Sequence, residues 1–158
     1  MKKIAVFPGS FDPFTNGHEE ILVKSLKSFD EVIVLVMKNP SKSPVFSIEE
    51  RINIIKRIAE KYRGVSVDTY EGLTINYAKK HDAQCLIRGL RAVSDFEYEF
   101  KLYAANKAID SSVESVFFMA ESNQSFVSSS LIVELYKNGV DISGFVSPVV
   151  IEVLKKKF

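Results

Sequence analysis

Apolar and polar positions along the chain follow two periods, and the switches between them mark the elements. Ile4 to Phe7 is an uninterrupted apolar run that, with Lys3, predicts a first strand over 3–7, buried on both faces. Glu31–Met37 reads as a second buried strand, and Val65–Tyr70 alternates like a short third. Cys85–Ile87 gives a fourth that stops at Arg88-Gly89, and Ser115–Met119 a fifth. Between them the spacing becomes helical. Ile21, Leu22, Ser25, Leu26 and Phe29 share one face, which predicts a helix over Gly17–Ser28. Ile48, Ile52, Ile55, Ile58 and Ala59 line a long helix opened by the capping-box pair Ser47 and Glu50 and ended by Gly64. Leu73–Lys80 is a short helix. Phe96, Phe100, Tyr103 and Ala104 lie along one side of the next, with Ser94 expected as its cap and Glu97 as capping-box partner. A helix from Ser128 or Ser129 runs to Asn138 and closes at Gly139, and Ser147-Pro148 starts the last one.

Five strands separated by helices predict an α/β protein: a single doubly wound, Rossmann-like domain over residues 1–158, with a five-stranded parallel sheet and helices on both faces. Crossovers are right-handed by default. Ligands in such sheets bind beyond the carboxyl ends of the strands, where strand order reverses. The site should therefore gather the segments Gly9–His18, Lys38–Phe46, Glu71–Thr74, Arg88–Asp95 and Glu121–Ser130.

Composition narrows the function classes. A net charge of +1 argues against the basic footprint of a nucleic-acid binder. A single cysteine, Cys85, excludes an internal disulfide and reads as a buried strand residue of a reducing compartment. With two histidines and no clustered Cys/His spacing, a structural zinc site is not expected. No leader pattern and no apolar run of membrane-spanning length is present, so a cytoplasmic protein without a membrane partner is expected.

Candidate chemistry lies in the segments after the strands. Pro8-Gly9 lets the chain turn after the first strand, and small and polar residues then lead into a helix with His18 in its first turn. Unpaired N–H groups and the positive dipole end lie there, which favours an anion such as phosphate. Neither a P-loop nor a Gly-x-Gly-x-x-Gly fingerprint is present. Arg88-Gly89-Leu90-Arg91 places two guanidinium groups, fit for bidentate phosphate contact, around a glycine. The plainer reading is a pair of arginines neutralised by Asp95, Glu97 or Glu99. Lys42 gains interest from its place after the second strand. Ser125–Ser130 offers hydroxyls and helix N–H groups as a second anion cradle, although one serine suffices for a cap.

Together these residues resemble the phosphopantetheine adenylyltransferases, members of the nucleotidylyltransferase superfamily marked by a [Thr/His]-x-Gly-His motif. That motif is Thr15-Asn16-Gly17-His18 here, preceded by Pro8-Gly9-Ser10-Phe11-Asp12-Pro13. Ile87–Arg91, continuing through Asp95-Phe96-Glu97-Tyr98-Glu99, resembles that particular family, and Ser128-Ser129-Ser130 resembles the superfamily's second signature. The resemblance implies transfer of AMP from ATP to 4′-phosphopantetheine, giving dephospho-coenzyme A and pyrophosphate by direct in-line attack. The alternative is a different phosphorylated acceptor. It implies catalytic roles for His18, Lys42 and Arg91, with Ser10, Lys42, Thr74 and Arg88 binding phosphopantetheine. Ser10, Phe11, His18, Gly89, Leu90, Arg91, Glu99, Gln124, Ser125, Phe126, Val127, Ser128, Ser129 and Ser130 would contact ATP. It further implies Mg²⁺ carried by the ATP phosphates rather than a protein-held metal, a homohexamer, and coenzyme A as a feedback ligand. Ser10 stands where threonine is frequent, Thr74 where an apolar residue is common and Gln124 where tryptophan can occur.

Overall fold

The computed structural model describes residues 1–158 except 122 and 124–126. Its elements run β1 (Ile4–Gly9), α1 (Asn16–Leu26), β2 (Glu31–Val36), α2 (Ile48–Ala59), β3 (Val65–Thr69) and α3 (Thr74–Lys80). The second half adds β4 (Cys85–Leu90), α4 (Val93–Ile109), β5 (Glu114–Met119), α5 (Ser129–Lys137) and α6 (Pro148–Lys157). All strand pairs are parallel, in the order β3-β2-β1-β4-β5. The chain thus lays three strands in one direction, returns to the centre, and adds two on the other side. This is the expected doubly wound α/β architecture, with its switch point between β1 and β4.

Pairing at that switch point is short. β1 and β2 are in register from Ile4↔Glu31 to Gly9↔Val36, whereas β1 and β4 pair only at Ala5↔Cys85 and Val6↔Leu86. Beyond those pairs the two central strands part towards their carboxyl ends. Arg88 Nη1 donates to the Pro8 carbonyl at 3.1 Å, so a side chain bridges the gap.

Alternate residues of the central strands feed two separate cores. Ala5, Phe7, Val32, Val34, Val36 and Ile87 pack with α1, α2, α5 and α6 on one face. Val6, Ile33, Leu35 and Leu86 pack with Ile75, Tyr77 and Ala78 of α3 on the other. That second face is thinly covered, because α4 buries only Glu99. Phe96 and Phe100 share a helix face, with ring centroids 5.9 Å apart, and both are exposed.

Local sequence accounts for most ends. Ser47 and Glu50 form the expected capping box on α2. After α5, Gly139 takes φ +75°; its N–H reaches the Tyr136 carbonyl and that of Val140 the Leu135 carbonyl, the Schellman arrangement. Three expectations fail. The cap of α4 is Ala92, not Ser94, and makes no side-chain cap bond; Asp95 instead accepts from the Arg91 N–H and turns the chain into the helix. β4 continues through Arg88 and Gly89 to Leu90 because β5 pairs with it along that whole length. Cys85 is half-buried rather than buried, since it starts β4 at the amino edge of the sheet.

Candidate active site

A cavity of about 620 Å³ opens where β1 and β4 part. Its wall is built from the segments that follow β1, β2, β4 and β5, with the start of α5 closing one side. Ser10, Phe11, His18, Lys42, Arg88, Gly89, Arg91, Glu99, Val127, Ser128, Ser129 and Ser130 all line it. The segment Glu71–Thr74 does not, and Thr74 lies outside the lining. The segment follows the edge strand β3, although α3, which Thr74 opens, packs back against Val6 of β1 and Leu86 of β4. Leu90 is also outside the lining, buried with 8% exposure, its carbonyl taken by the Ala120 N–H. Gln124, Ser125 and Phe126 lie outside the described residues.

His18 is placed by the helix it helps to start. Thr15 caps α1, and the capping box is completed by His18 at the position where Glu or Gln usually stands. The Thr15 N–H donates to Nδ1 at 3.0 Å. A ring nitrogen that accepts carries no proton, so the neutral imidazole bears its hydrogen on Nε2. That leaves the Nε2–H edge to face the cavity. Burial, and then the nearby Arg91 guanidinium, push the imidazole down to about 4 from the usual 6.5. The ring is therefore a neutral hydrogen-bond donor near pH 7 rather than a cation.

Two aromatic rings hold it there, and a third backs one of them. Phe11 meets His18 edge-on at 5.1 Å and Phe7 edge-on at 5.1 Å, and Phe14 lies 5.4 Å from His18. Phe11 takes φ +48°, a region that costs a bulky residue about 1–3 kcal/mol and persists only where packing imposes it. Gly9 makes the room: a Cβ there would lie 2.8 Å from Phe11 Cζ.

The arginines satisfy both readings of their motif. Arg88 makes a bidentate pair with Glu99, Nε to Oε2 at 2.7 Å and Nη2 to Oε1 at 2.8 Å. Arg91 Nε lies 3.2 Å from Asp95 Oδ2, and its Nη1 donates to the Val127 carbonyl at 3.2 Å. Both remain on the cavity wall. Lys42 is exposed on the loop after β2 and has no ion-pair partner among the described residues. Across from it, Ser128 caps α5 by accepting from the Leu131 N–H, and Ser129 Oγ donates to the Pro13 carbonyl at 2.7 Å. The α5 amino end is thus pinned to the His18 segment, with its free N–H groups available to an anion.

Two further lining residues were given no role by the sequence, Arg51 outside every motif and Asp12 inside the first. Arg51 of α2 is 3% exposed and reaches the cavity from beneath. Asp12 accepts from the N–H groups of Val45 and Phe46 at 2.7 and 2.8 Å. The carboxylates of the wall are all engaged: Asp12 by backbone, Asp95 by Arg91 and Glu99 by Arg88. Among the described residues no cluster of His, Cys, Asp or Glu could hold a metal ion.

The cytidylyltransferase-like family matches residues 6–135. A phosphopantetheine adenylyltransferase from Alkaliphilus metalliredigens is 44% identical over 155 residues, 98% of this chain and 99% of that protein. Another from Desulforudis audaxviator is 46% identical over 156 residues, 99% of this chain and 96% of that protein.

The chain belongs to the phosphopantetheine adenylyltransferase family.

It is a nucleotidyltransferase, and the resemblance carried by Thr15–His18, Ile87–Glu99 and Ser128–Ser130 extends over nearly the whole chain. A Plasmodium falciparum nicotinic acid mononucleotide adenylyltransferase, solved with NaAD, shares the fold with a TM-score of 0.73 over 99% of this chain and 96% of its own, at 19% identity. For a phosphopantetheine adenylyltransferase, a cavity at the switch point lined by Arg51, Arg88, Arg91, Lys38 and Lys42 beside two helix amino ends suits a substrate pair rich in phosphate.

Proposed function

We propose that this chain transfers the adenylyl group of ATP to 4′-phosphopantetheine, releasing dephospho-coenzyme A and pyrophosphate. The observation that carries the reading is the convergence of His18, Lys42, Arg88, Arg91 and the α5 amino end on one cavity. A phosphate oxygen of the acceptor attacks the α-phosphorus of ATP in line. The bond to the bridging oxygen of the β-phosphate breaks, and pyrophosphate takes that electron pair. The nucleophile is already an anion, so no protein base and no covalent intermediate is required.

Catalysis is then positioning and charge stabilisation. Lys42 and Arg88 orient the acceptor phosphate. The Nε2–H of His18 donates to the α-phosphate oxygens as their charge grows, and its neutral state costs no ion pairing in the ground state. Arg91 and the α5 N–H groups take the leaving pyrophosphate. The engaged carboxylates do not fit a protein-held metal, so Mg²⁺ would arrive on the nucleotide's own phosphate oxygens and neutralise part of their charge. Ser10, Phe11, Gly89 and Glu99 line the nucleotide side of this arrangement, and Val127–Ser130 its far end.

A homohexamer, a cytoplasmic location and coenzyme A as a feedback ligand belong to the same proposal. Exposed Val93, Phe96, Phe100 and Met119 support self-association, because an apolar patch of this kind is costly in water. Coenzyme A carries the pantetheine arm of the product and would compete for the same cavity.

The test is pyrophosphate release from ATP and Mg²⁺ with and without 4′-phosphopantetheine. Release that depends on the acceptor, with dephospho-coenzyme A as product, is expected. Release with another phosphorylated acceptor and none with phosphopantetheine would refute the acceptor assignment.

A further inference from the structure

The loop that carries Lys42 is fastened at both ends to the loop that follows β1. At its start, the Met37 N–H donates to the Gly9 carbonyl at 2.8 Å. There Arg51 Nη1 also donates to the Ser10 carbonyl at 2.7 Å and to the Met37 carbonyl at 3.3 Å, one group joining the two loops. Its Nε lies 3.4 Å from the Ser47 carbonyl, which anchors the guanidinium in the first turn of α2. At the loop's other end, the Asp12 carboxylate takes the N–H groups of Val45 and Phe46. Lys42 itself stands between the two fastenings, exposed and without such ties.

Arg51 is an unusual choice for a mere brace. It is 3% exposed, and among the described residues no carboxylate neutralises it. Burying an uncompensated cation is costly, and an apolar residue of similar length would fill the same space at less cost. What an apolar residue would not do is hold two carbonyls from two different loops at one spacing. Those loops carry Ser10 and Phe11 on one side of the cavity and Lys42 on the other.

We propose that Arg51 and Asp12 are positioning residues that fix the separation of the Ser10–Phe11 loop from the Lys42 loop, and so the register of nucleotide against acceptor. The inference rests on the acceptor and nucleotide roles proposed above for those loops. Each substrate would still find its own half of the site without Arg51; their mutual alignment is what Arg51 supplies. Misplacing reactants by about 1 Å costs on the order of a hundredfold in rate.

The test compares the wild type with Arg51→Met and Arg51→Lys, each also in a Lys42→Ala background. Wild-type turnover with phosphopantetheine is measured first. If it is absent, the acceptor assignment fails by itself, and the series is run with whichever phosphorylated acceptor supports pyrophosphate release. For Arg51→Met, binary dissociation constants of ATP and of the acceptor are expected to stay within about threefold, while kcat falls about a hundredfold. Arg51→Lys should recover part of that loss. In the Lys42→Ala background the Arg51→Met loss should shrink to about tenfold or less, because the loop has lost the group it positions. A folded Arg51→Met enzyme with kcat within about threefold of wild type would overturn the proposal, as would a kcat loss explained by weaker binary binding or a full additive loss beside Lys42→Ala. Should Arg51→Met fail to fold, Arg51→Lys and Asp12→Asn decide: a kcat loss of about tenfold with intact binary binding is expected of each, and wild-type kcat in both refutes the role.

Discussion

The half-buried imidazole of His18 makes folding stability depend on pH in a calculable way. His18→Gln is the informative variant, because glutamine at the third helical position can still accept from the Thr15 N–H and so keeps the capping box while removing the titration. In the wild type, burial holds the folded imidazole at about 4, against 6.5 in a solvated chain. Between those values the unfolded chain binds a proton that the folded protein refuses. Stability therefore falls as pH falls through this window, by about 1.4 kcal/mol per pH unit, and levels off once the folded ring also protonates. The total is at most about 3 kcal/mol, a ceiling because one edge of the ring opens on the cavity. The assay is urea denaturation of both proteins from about pH 7.5 to about pH 4, read as the difference between them so that other titrating groups cancel. The wild type should lose about 2–3 kcal/mol more than His18→Gln over that range. A difference that stays flat with pH would refute both the low pKa and the claim that His18 acts as a neutral donor.

Two further outcomes follow from the packing around the cavity. Gly9→Ala puts a Cβ 2.8 Å from Phe11 Cζ and 2.9 Å from Cε1, so the ring that braces His18 must move. Stability should fall by about 1–3 kcal/mol and kcat by about tenfold or more, and near-normal turnover would show that the brace is dispensable. Glu99→Gln leaves the Arg88 guanidinium without its carboxylate. A loss of about 1–3 kcal/mol is expected, below the cost of breaking a fully buried pair because Arg88 is partly solvated. Amide exchange should accelerate in α4, and unchanged exchange there would mean that the pair does not hold the helix to β4.

The strands were legible because a parallel sheet covered on both faces demands continuous apolar runs, and Ile4–Phe7 and Glu31–Val36 supply them. The site's location followed from the same pattern, since polar and small residues after a buried strand have few other uses. Strand order was not legible. The alternation of Val65–Tyr70 marks a strand with an exposed face but not its place in the order, and the segment through Thr74 was expected at a cavity it does not line. Arg51 was invisible for a different reason. It lies in an amphipathic helix among Glu49, Glu50 and Asn53, where an arginine looks solvated, and only the approach of two loops buries it. Ser94 misled because a local cap signal was overridden by Asp95 turning back to Arg91. The motif at Thr15–His18 was read as chemistry, while its threonine also proved to set the tautomer of its histidine.

The short seam between β1 and β4 also bears on how the protein is made. The residues it joins, Ala5 with Cys85 and Val6 with Leu86, are far apart in the chain, so it closes late in any folding sequence that favours nearby contacts. A chain that has formed only β1 to β3 already owns His18, Lys42 and Arg51, yet lacks Arg88, Arg91 and the α5 amino end. It would have one wall of a container and no contents. Nucleotide binding thus reports that the two halves of the sheet have met, and ligand present during synthesis or refolding would stabilise only the completed product.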